Sequence, residues 1–298
     1  MQRPEIALGI DLGGTNLRVG VMDQSGRLLD FASRTIDPTM EGDRMVAEIY
    51  RLASGLSHLH QIQAIGIALA GAVQPGGVIP KGLTNLPGIE GYPMEEKLGQ
   101  AFGRPCVMDN DALLALLGEC RYGIGRGYMD VLLLTLGTGI GGGLLLNGKR
   151  RRGSHGIGWE AGMMPFPDPT MSNLTPFEQL ASPKALMRRL GDPDGYIYER
   201  AAAGDGLAQE AIASMYRYLG WLVSCMQLSF DLQLVILSGG LASVGQPLLD
   251  GVRRAFKEIC PPQLQFNLQI ELGALPEHSA GVIGAASLVM EPDGEVKS

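Results

Sequence analysis

The sequence has few cysteines, and they are far apart. There are four cysteines among 298 residues, and none falls in a CxxC or CxC pair. This spacing is typical of reduced thiols and argues against both a disulfide framework and a cysteine zinc site. We therefore expect a cytoplasmic protein without disulfides.

The sequence also lacks a membrane segment and a surplus of positive charge. Glycine or polar residues interrupt every apolar run before the roughly 18 residues that a membrane span needs. The N-terminal segment becomes charged too early for a signal peptide. A formal net charge of −7 disfavours nucleic acid as the main partner. The basic run Lys149–Arg152 is either a solvated hairpin end or an edge that faces phosphate.

Glycine, in contrast, is abundant. The 43 glycines fall beside strand-like runs, which indicates tight turns and close backbone approach to ligands. LGIDLGGTNLRVGV (residues 8–21) and LLTLGTGIGGGLLL (residues 133–146) both have the pattern of a strand, a glycine–threonine turn and a strand. This indicates an internal duplication. Since strands also alternate with helical patterns, we expect an α/β protein with two related lobes and a central cleft.

Three glycine turns follow predicted strands and suit a nucleotide. Backbone N–H groups freed by glycine can surround phosphate oxygens, and phosphoryl transfer needs donors at both ends of a triphosphate. Neither of the first two turns is a Walker loop, because no Gly-Lys-Ser/Thr follows; alone, each is equally an ordinary β-turn. The carboxylate of Asp11 is suited to hold Mg²⁺ through water molecules. The turns contain Asp11, Gly13, Gly14, Thr15, then Gly137, Thr138, Gly139, and finally Gly239 and Gly240.

Acidic residues elsewhere are candidates for the substrate. Asp111 closes a predicted strand and opens a helix, so it is either the N-cap of that helix or a carboxylate that accepts a hydroxyl proton. Capping by Asp111 does not explain its neighbour Asn110, which is suited to orient a substrate. Glu160 and Glu178 flank a loop rich in Met and Pro. Residue type alone does not distinguish substrate-binding acids from solvated acids on the surface.

Taken in order, the motifs are similar to those of the ROK family of bacterial sugar kinases and sugar-responsive repressors. The matching segments are DLGGTNLR, TNLPG, DNDALLALLGE, LGTGIGGGLLLNGK, RGSHGIGWEAG, FEQLAS and LSGGLA. The resemblance covers about residues 6–286. It implies a two-lobed actin-like or hexokinase-like (ribonuclease H-like) fold with duplicated α/β domains. We place the small lobe at residues 1–111 and 284–298 and the large lobe at residues 112–283.

The same resemblance implies an ATP-dependent sugar kinase, a glucokinase-type phosphotransferase that uses Mg²⁺ and acts on a primary hydroxyl of a hexose or N-acylhexosamine. Asp111 matches the catalytic base, the first two turns match the phosphate sites, and Gly239 and Gly240 match the adenosine motif. A homodimer is also implied, since relatives commonly form one. The residues expected to bind the sugar are Gly71, Asn85, Asn110, Asp111, Glu160 and Glu178.

Three other functions are open at this stage. A sugar-sensing regulator of the family carries a DNA-binding domain before the first glycine turn, and only ten residues precede Asp11 here. A polyphosphate-dependent glucokinase needs a basic path to the cleft, for which Lys149–Arg152 is the candidate. A non-catalytic sugar-binding protein is disfavoured because Asp111 and both phosphate turns are present. The sugar itself is open among glucose, mannose, allose, fructose and N-acetylated hexosamines.

One departure from the family pattern concerns zinc. Most members hold a structural zinc with a histidine and three cysteines in a CxCGxxGC loop. Met163 stands at the histidine position, and the loop from Met163 to Phe177 contains no cysteine. Four prolines and several apolar side chains are left to fix this loop, and the apolar ones serve equally well as packing at a subunit interface. These residues are Pro165, Pro167, Pro169, Pro176, Met163, Met164, Phe166 and Phe177.

We therefore predict that the protein works without zinc. A structural zinc needs about four thiolate or imidazole ligands, and its removal unfolds domains that depend on it. Elemental analysis of purified protein should show far less than one zinc per chain. Treatment with a strong chelator, followed by restoring Mg²⁺, should leave the melting temperature and the activity unchanged. Stoichiometric zinc, or activity recovered only with zinc, would contradict this prediction.

Overall fold

The structure is a computed structural model that describes residues 4–191 and 196–290. The chain divides into two compact units. Unit 1 comprises Met1–Met129, Gly143–Trp159 and Ala274–Ser298, and unit 2 comprises Asp130–Gly142 and Glu160–Gly273. The lobe boundaries expected from the sequence stay a prediction, and residues 291–298 of the expected small lobe lie outside the described residues.

Strands and helices alternate along the chain. The strands are β1 (Ile6–Leu12), β2 (Asn16–Asp23), β3 (Leu28–Thr35), β4 (Ala64–Leu69), β5 (Cys106–Asn110), β6 (Val131–Leu136), β7 (Ile140–Leu146), β8 (Lys149–Arg150), β9 (Pro165–Pro167), β10 (Leu174–Pro176), β11 (Leu234–Ser238) and β12 (Gln269–Leu272). The α-helices are α1 (Gly42–Ala53), α2 (Met94–Phe102), α3 (Asp111–Tyr122), α4 (Phe177–Ala181), α5 (Pro183–Arg189), α6 (Ile197–Ala202), α7 (Gly206–Phe230), α8 (Gln246–Ile259) and α9 (Glu277–Met290). Short 3₁₀ turns cover Leu59–Gln61, Pro87–Ile89, Ala161–Met163, Gly240–Val244 and Pro262–Leu264.

Unit 1 is built on a five-stranded sheet with the order β3–β2–β1–β4–β5. β1 pairs antiparallel with β2, whereas β1, β4 and β5 are parallel. All six residues of β4 are buried, as expected for a strand covered on both faces. The carboxyl ends of β1, β4 and β5 therefore lie at the same edge of this sheet.

Helix α9 packs unusually close to this sheet. A Cβ atom on Gly66 of β4 would overlap the carbonyl oxygen of Ala285, and one on Gly9 of β1 would overlap the carbonyl oxygen of Val282. Glycine at both positions lets the helix backbone approach the strands directly. On the other face of the sheet, α1 buries Met45 and Ile49 in the core.

The second sheet has the order β12–β11–β6–β7–β8. Strands β6, β11 and β12 are parallel, and β7 pairs antiparallel with β8. The dipeptide Asn147-Gly148 is a strong hairpin signal, and these two residues join β7 to β8 with φ angles of 53° and 73°. Positive φ at both central residues is what a type I′ hairpin turn requires.

The Met- and Pro-rich segment of unit 2 is more ordered than the loop expected from the sequence. It contains the small antiparallel hairpin formed by β9 and β10. Phe166 packs against Phe177 and Trp221, with ring centroids 5.0 and 5.2 Å away. Tyr218 donates a hydrogen bond to the carbonyl oxygen of Pro167 at 2.8 Å. Of the apolar anchors proposed above, Phe166 and Phe177 are buried, whereas Met163 is 56% exposed.

Among the described residues, no helix combines the length and apolarity that crossing a bilayer would require. The longest, α7, caps its start with Asp205, whose carboxylate accepts hydrogen bonds from the amides of Leu207 and Ala208. It buries an apolar face within unit 2, as its sequence pattern predicts.

Candidate functional site

The first glycine turn of unit 1 joins β1 to β2 beside a buried carboxylate. Asp11 is only 9% exposed, and its Oδ2 lies 2.9 Å from Nη1 of Arg18, its cross-strand partner. Burial raises the pKa of Asp11, and the positive charge of Arg18 opposes that rise. A Cβ atom on Gly281 of α9 would lie 2.6 Å from Cγ of Asp11, so the carboxylate rests against the helix backbone. The ion pair with Arg18 holds it at the end of β1.

Asn85 lies next to this turn. A Cβ atom on Gly14 would be 3.2 Å from Cβ of Asn85, so these two predicted site residues are neighbours. The amide of Asn85 donates to the carbonyl oxygen of Ala70 at 3.0 Å, which fixes the segment to the end of β4. Gly71 has a φ of 151° and forms an isolated bridge with Thr84. The structure thus groups the first turn, Asn85 and the end of β4.

The Asn110–Asp111 pair stands where β5 passes into α3. Asn110, not Asp111, is the N-cap, since Oδ1 of Asn110 accepts from the amide of Leu113 at 3.0 Å. Nδ2 of Asn110 donates to the carbonyl oxygen of Gly71 at 3.0 Å and to Oδ1 of Asp111 at 3.2 Å. The capping role considered for Asp111 is therefore wrong. As the first helical residue, its carboxylate lies at the end where the helix dipole favours negative charge.

The second glycine turn, in unit 2, follows β6. The amide of Gly137 donates to the carbonyl oxygen of Gly139 at 3.0 Å, which closes the turn. A Cβ atom on Gly137 would have no atom within 4 Å, so there is open space beside this backbone. A Cβ atom on Gly139 would lie 2.7 Å from Oε2 of Glu178. The turn is thus open at Gly137 and touches one of the predicted sugar-binding acids at Gly139.

Glu160 and Glu178 come together in unit 2. Glu160 begins the 3₁₀ turn Ala161–Met163, and the amide of Phe177 donates to the carbonyl oxygen of Met164 at 2.9 Å. This bond ties the two acid-bearing segments to each other. The pKa of Glu160 is raised, first because nearby protein atoms exclude water from its carboxylate and second because Glu178 carries a negative charge. Two adjacent carboxylates suit a ligand rich in hydroxyl donors.

The residue before Glu160 has a strained backbone. Trp159 adopts a φ of 98°, a region that bulky side chains rarely occupy. Such strain costs about 1–3 kcal/mol and is concentrated at functional sites. The surrounding structure therefore holds the backbone at Trp159, just before Glu160, in a conformation that it would not adopt by itself.

The glycine pair predicted to contact adenosine packs against the end of β6. Gly239 has a φ of 86°, and a Cβ atom there would lie 2.8 Å from the amide nitrogen and the carbonyl oxygen of Leu136. Gly240 starts the following 3₁₀ turn. Since Leu136 immediately precedes Gly137, the second and third glycine turns lie side by side in unit 2. The space beside the backbone at Gly137 is open, since a Cβ atom there would meet no atom within 4 Å.

The residues present also fit a magnesium ion held mainly by water and phosphate. In residues 4–191 and 196–290 there is no group of three or more His, Cys, Asp or Glu placed to hold a metal. Mg²⁺ usually needs only one or two protein carboxylates beside substrate phosphates. Asp11 supplies one carboxylate next to the first turn, with Oδ2 already bound to Arg18.

Arg18 was not among the site residues predicted from the sequence, although it pairs with Asp11. Leu12 pairs with Leu17 across the first turn, and Asp11 and Arg18 are the next pair outward along the two strands. A hairpin register drawn through that turn would have brought the two charges together. Arg18 thereby adds a cation close to a turn proposed to receive phosphate.

Known proteins resemble this chain over nearly its whole length. It is 30% identical to a glucokinase of Streptomyces coelicolor, over 97% of this chain and 98% of the relative. It is 29% identical to an N-acetylmannosamine kinase of Escherichia fergusonii, over 94% of this chain and 97% of the relative. Among solved structures, a ROK family glucokinase from Streptomyces griseus in complex with glucose and AMPPNP is 30% identical, with a TM-score of 0.78 over 95% of this chain and 99% of the other.

These likenesses confirm the mixed α/β, hexokinase-like fold expected from the sequence. The ROK family matches residues 7–291, which is almost the entire chain. The order of the glycine turns, the Asn110–Asp111 pair and the two glutamates had indicated the same family. The chain belongs to the ROK family.

Proposed function

We propose that this protein is an ATP-dependent sugar kinase that phosphorylates a primary hydroxyl of a hexose or an N-acylhexosamine, with a glucose-like hexose as the first candidate. The observation that carries the proposal is the Asn110–Asp111 pair at the end of β5, fixed to Gly71 and to the first turn of α3. The relatives support this class of reaction, since a glucokinase and an N-acetylmannosamine kinase are among them. A cytoplasmic homodimer is part of the same proposal.

In this mechanism Asp111 is the general base. Its carboxylate takes the proton of the sugar hydroxyl as the hydroxyl oxygen forms a bond to the γ-phosphorus of ATP. The bond from that phosphorus to the β,γ-bridging oxygen breaks, and its electron pair leaves with ADP. Asn110, held by Gly71, orients the sugar beside Asp111. Positioning and charge stabilisation supply most of the catalysis in phosphoryl transfer.

The glycine turns are proposed to bind the nucleotide. The amides of Gly13 and Gly137 close their turns by donating to the carbonyl oxygens of Asn16 and Gly139. Backbone amides of Gly14 and Thr15 then face one part of the triphosphate, and those of Thr138 and Gly139 face another. Gly239 and Gly240, which carry no side chains, let the adenosine approach the backbone closely. When bound, Mg²⁺ neutralises charge on the phosphates, and Asp11 would hold it through water.

Glu160 and Glu178 are proposed to accept hydrogen bonds from sugar hydroxyls. Charge-assisted bonds of this kind contribute roughly 1.5–3 kcal/mol each. The contact of Glu178 with Gly139 would also place the sugar beside the phosphate turn. Asn85, next to Gly14, completes the proposed sugar-binding set.

Half of the basic run is unsuited to a path for polyphosphate as the phosphoryl donor. Two of its members, Arg150 and Arg152, form ion pairs with Asp109 at 2.7 and 3.2 Å. Arginines engaged with a buried carboxylate are not available to form a path for a polyanion. The comparison of ATP with polyphosphate as donor in one assay separates the two possibilities.

The base is tested by Asp111→Asn. The amide keeps the shape of the side chain but cannot take the proton, so kcat should fall about 10²- to 10⁴-fold. Hexose affinity, measured by calorimetry, should change little. Asp250→Asn, on the exposed face of α8, is the matched control and should retain wild-type kcat. Turnover of Asp111→Asn within tenfold of the wild type would exclude this residue as the base.

The paired glutamates predict a pH dependence of the sugar KM. Because the pKa of Glu160 is raised, its carboxylate takes up a proton at a higher pH than an ordinary glutamate does. The hexose KM should therefore rise as the pH falls through that raised pKa.

Glu178→Gln removes the neighbouring negative charge, so the midpoint of this rise should move to lower pH, in addition to any overall weakening of sugar binding. The control Glu210→Gln, exposed on α7, should leave the midpoint in place. An unmoved midpoint would show that the charge of Glu178 does not influence the protonation of Glu160, and would contradict this prediction.

A further inference from the structure

The aspartate before the Asn110–Asp111 pair is the centre of a buried charge cluster in unit 1. The side chain of Asp109 is only 3% exposed. Its Oδ2 accepts from Nη1 of Arg150 at 2.7 Å, and its Oδ1 lies 3.2 Å from Nε of Arg152. Oδ1 also accepts the backbone amide of Asn110 at 3.0 Å. One carboxylate thus joins two arginines to the peptide that leads into the proposed base.

A second carboxylate holds the same strand end from α2. Oε1 of Glu95 accepts the amide of Met108 at 2.6 Å. A Cβ atom on Gly77 would overlap the Glu95 carboxylate, which shows how tightly this group is packed. Burial raises the pKa of both acids, and the positive charge of Arg152 counteracts that rise. The last residues of β5 are therefore held through side chains from two directions.

The alternation of a strand explains which arginines take part. Arg150 belongs to β8 and Arg152 follows it two positions later, so both side chains reach the same face, whereas Arg151 is exposed. The amide of Arg151 donates to the carbonyl oxygen of Leu144 at 2.8 Å, which continues the hairpin pairing through this point. The basic run is thus divided between Arg150 and Arg152, which pair with Asp109, and the exposed residues Lys149 and Arg151.

A contribution to the stability of the fold does not explain why these charges are buried together. Removing charges from water costs several kcal/mol for each ion, and apolar replacements of buried ion pairs are often neutral or stabilising. Nε of Arg150 is buried without a hydrogen-bond partner among the described residues, a further cost. The cluster instead restricts the position of the backbone, because Oδ1 of Asp109 accepts a hydrogen bond from the amide of Asn110.

We propose that Asp109 is a positioning residue for phosphoryl transfer, and that Arg150 and Arg152 clamp its carboxylate so that Asn110 and Asp111 keep a fixed direction. This proposal rests on the function proposed above. Without the clamp, the peptide between Asp109 and Asn110 gains freedom, and the proton acceptor shifts relative to the sugar hydroxyl. A displacement of about 1 Å at such a group can cost on the order of 10²-fold in rate.

The test compares Arg152→Gln with Arg151→Gln. Both variants lose one positive charge from adjacent positions, but only Arg152, 38% exposed, contacts Asp109. Arg152→Gln should lower kcat about tenfold or more, with the ATP KM within twofold of wild type and the melting temperature nearly unchanged. Arg151→Gln should match the wild type in all three. Arg152→Lys, which keeps the charge, should recover part of the lost kcat.

A double-mutant cycle tests whether the residues act as one unit. Asp109→Asn should lower kcat at least as much as Arg152→Gln, and the combined variant should be no worse than Asp109→Asn alone. If Asp109→Asn fails to fold, Arg150→Lys replaces it, since one ammonium cannot reproduce the guanidinium geometry. Equal kcat in the Arg151 and Arg152 variants, or a loss of kcat that follows the melting temperature, would overturn the proposal.

The wild type in the same assay keeps the two proposals separate. Absence of hexose-dependent ADP release from wild-type protein would refute the sugar-kinase function itself. Wild-type turnover together with an unaffected Arg152→Gln would refute only the positioning role of Asp109.

Discussion

The arrangement of this protein depends on one constraint, which is that parallel strands end at the same edge of their sheet. In unit 1, the ends of β1, β4 and β5 bring Asp11, Gly71 and the Asn110–Asp111 pair to one edge. In unit 2, the parallel pair β6 and β11 ends in the second and third glycine turns. Ligands of open α/β sheets bind outside the carboxyl ends of the strands. The residues named here, which we assign to the nucleotide or the sugar, lie at such strand ends.

Buried acids at these strand ends need cationic partners, and the structure supplies them locally. Asp11 pairs with Arg18 across the first hairpin, and Asp109 pairs with Arg150 and Arg152. An uncompensated carboxylate would take up a proton instead of staying charged in these positions. Burial raises the pKa of Asp11 and of Asp109, and the neighbouring arginines oppose that rise. At the same edge α9 packs closely against Asp11, since a Cβ atom on Gly281 would lie 2.6 Å from Cγ of Asp11.

The sequence predicted those parts of the structure that short motifs determine. The glycine turns, the Asn147-Gly148 hairpin and the start of α3 follow from local rules for turns and caps, although Asn110 and not Asp111 proved to be the cap. The Asp109 cluster could not be predicted in this way, because Glu95 and Arg150 are far from Asp109 along the chain. The β9–β10 hairpin was missed for a related reason. Its prolines and methionines indicate a loop, whereas its order comes from contacts with α4 and α7. Phe166 packs against Phe177 and Trp221, and Tyr218 donates to the carbonyl oxygen of Pro167.

Direct observation of the transferred phosphoryl group tests the central claim. Purified protein should be incubated with ATP, Mg²⁺ and each of several hexoses and N-acetylated hexosamines, and the products followed by ³¹P nuclear magnetic resonance. The account predicts that ADP and a sugar phosphate esterified at the primary hydroxyl appear in equal amounts with at least one of these sugars. ADP and inorganic phosphate formed without any sugar ester, or transfer from polyphosphate but not from ATP, would contradict it.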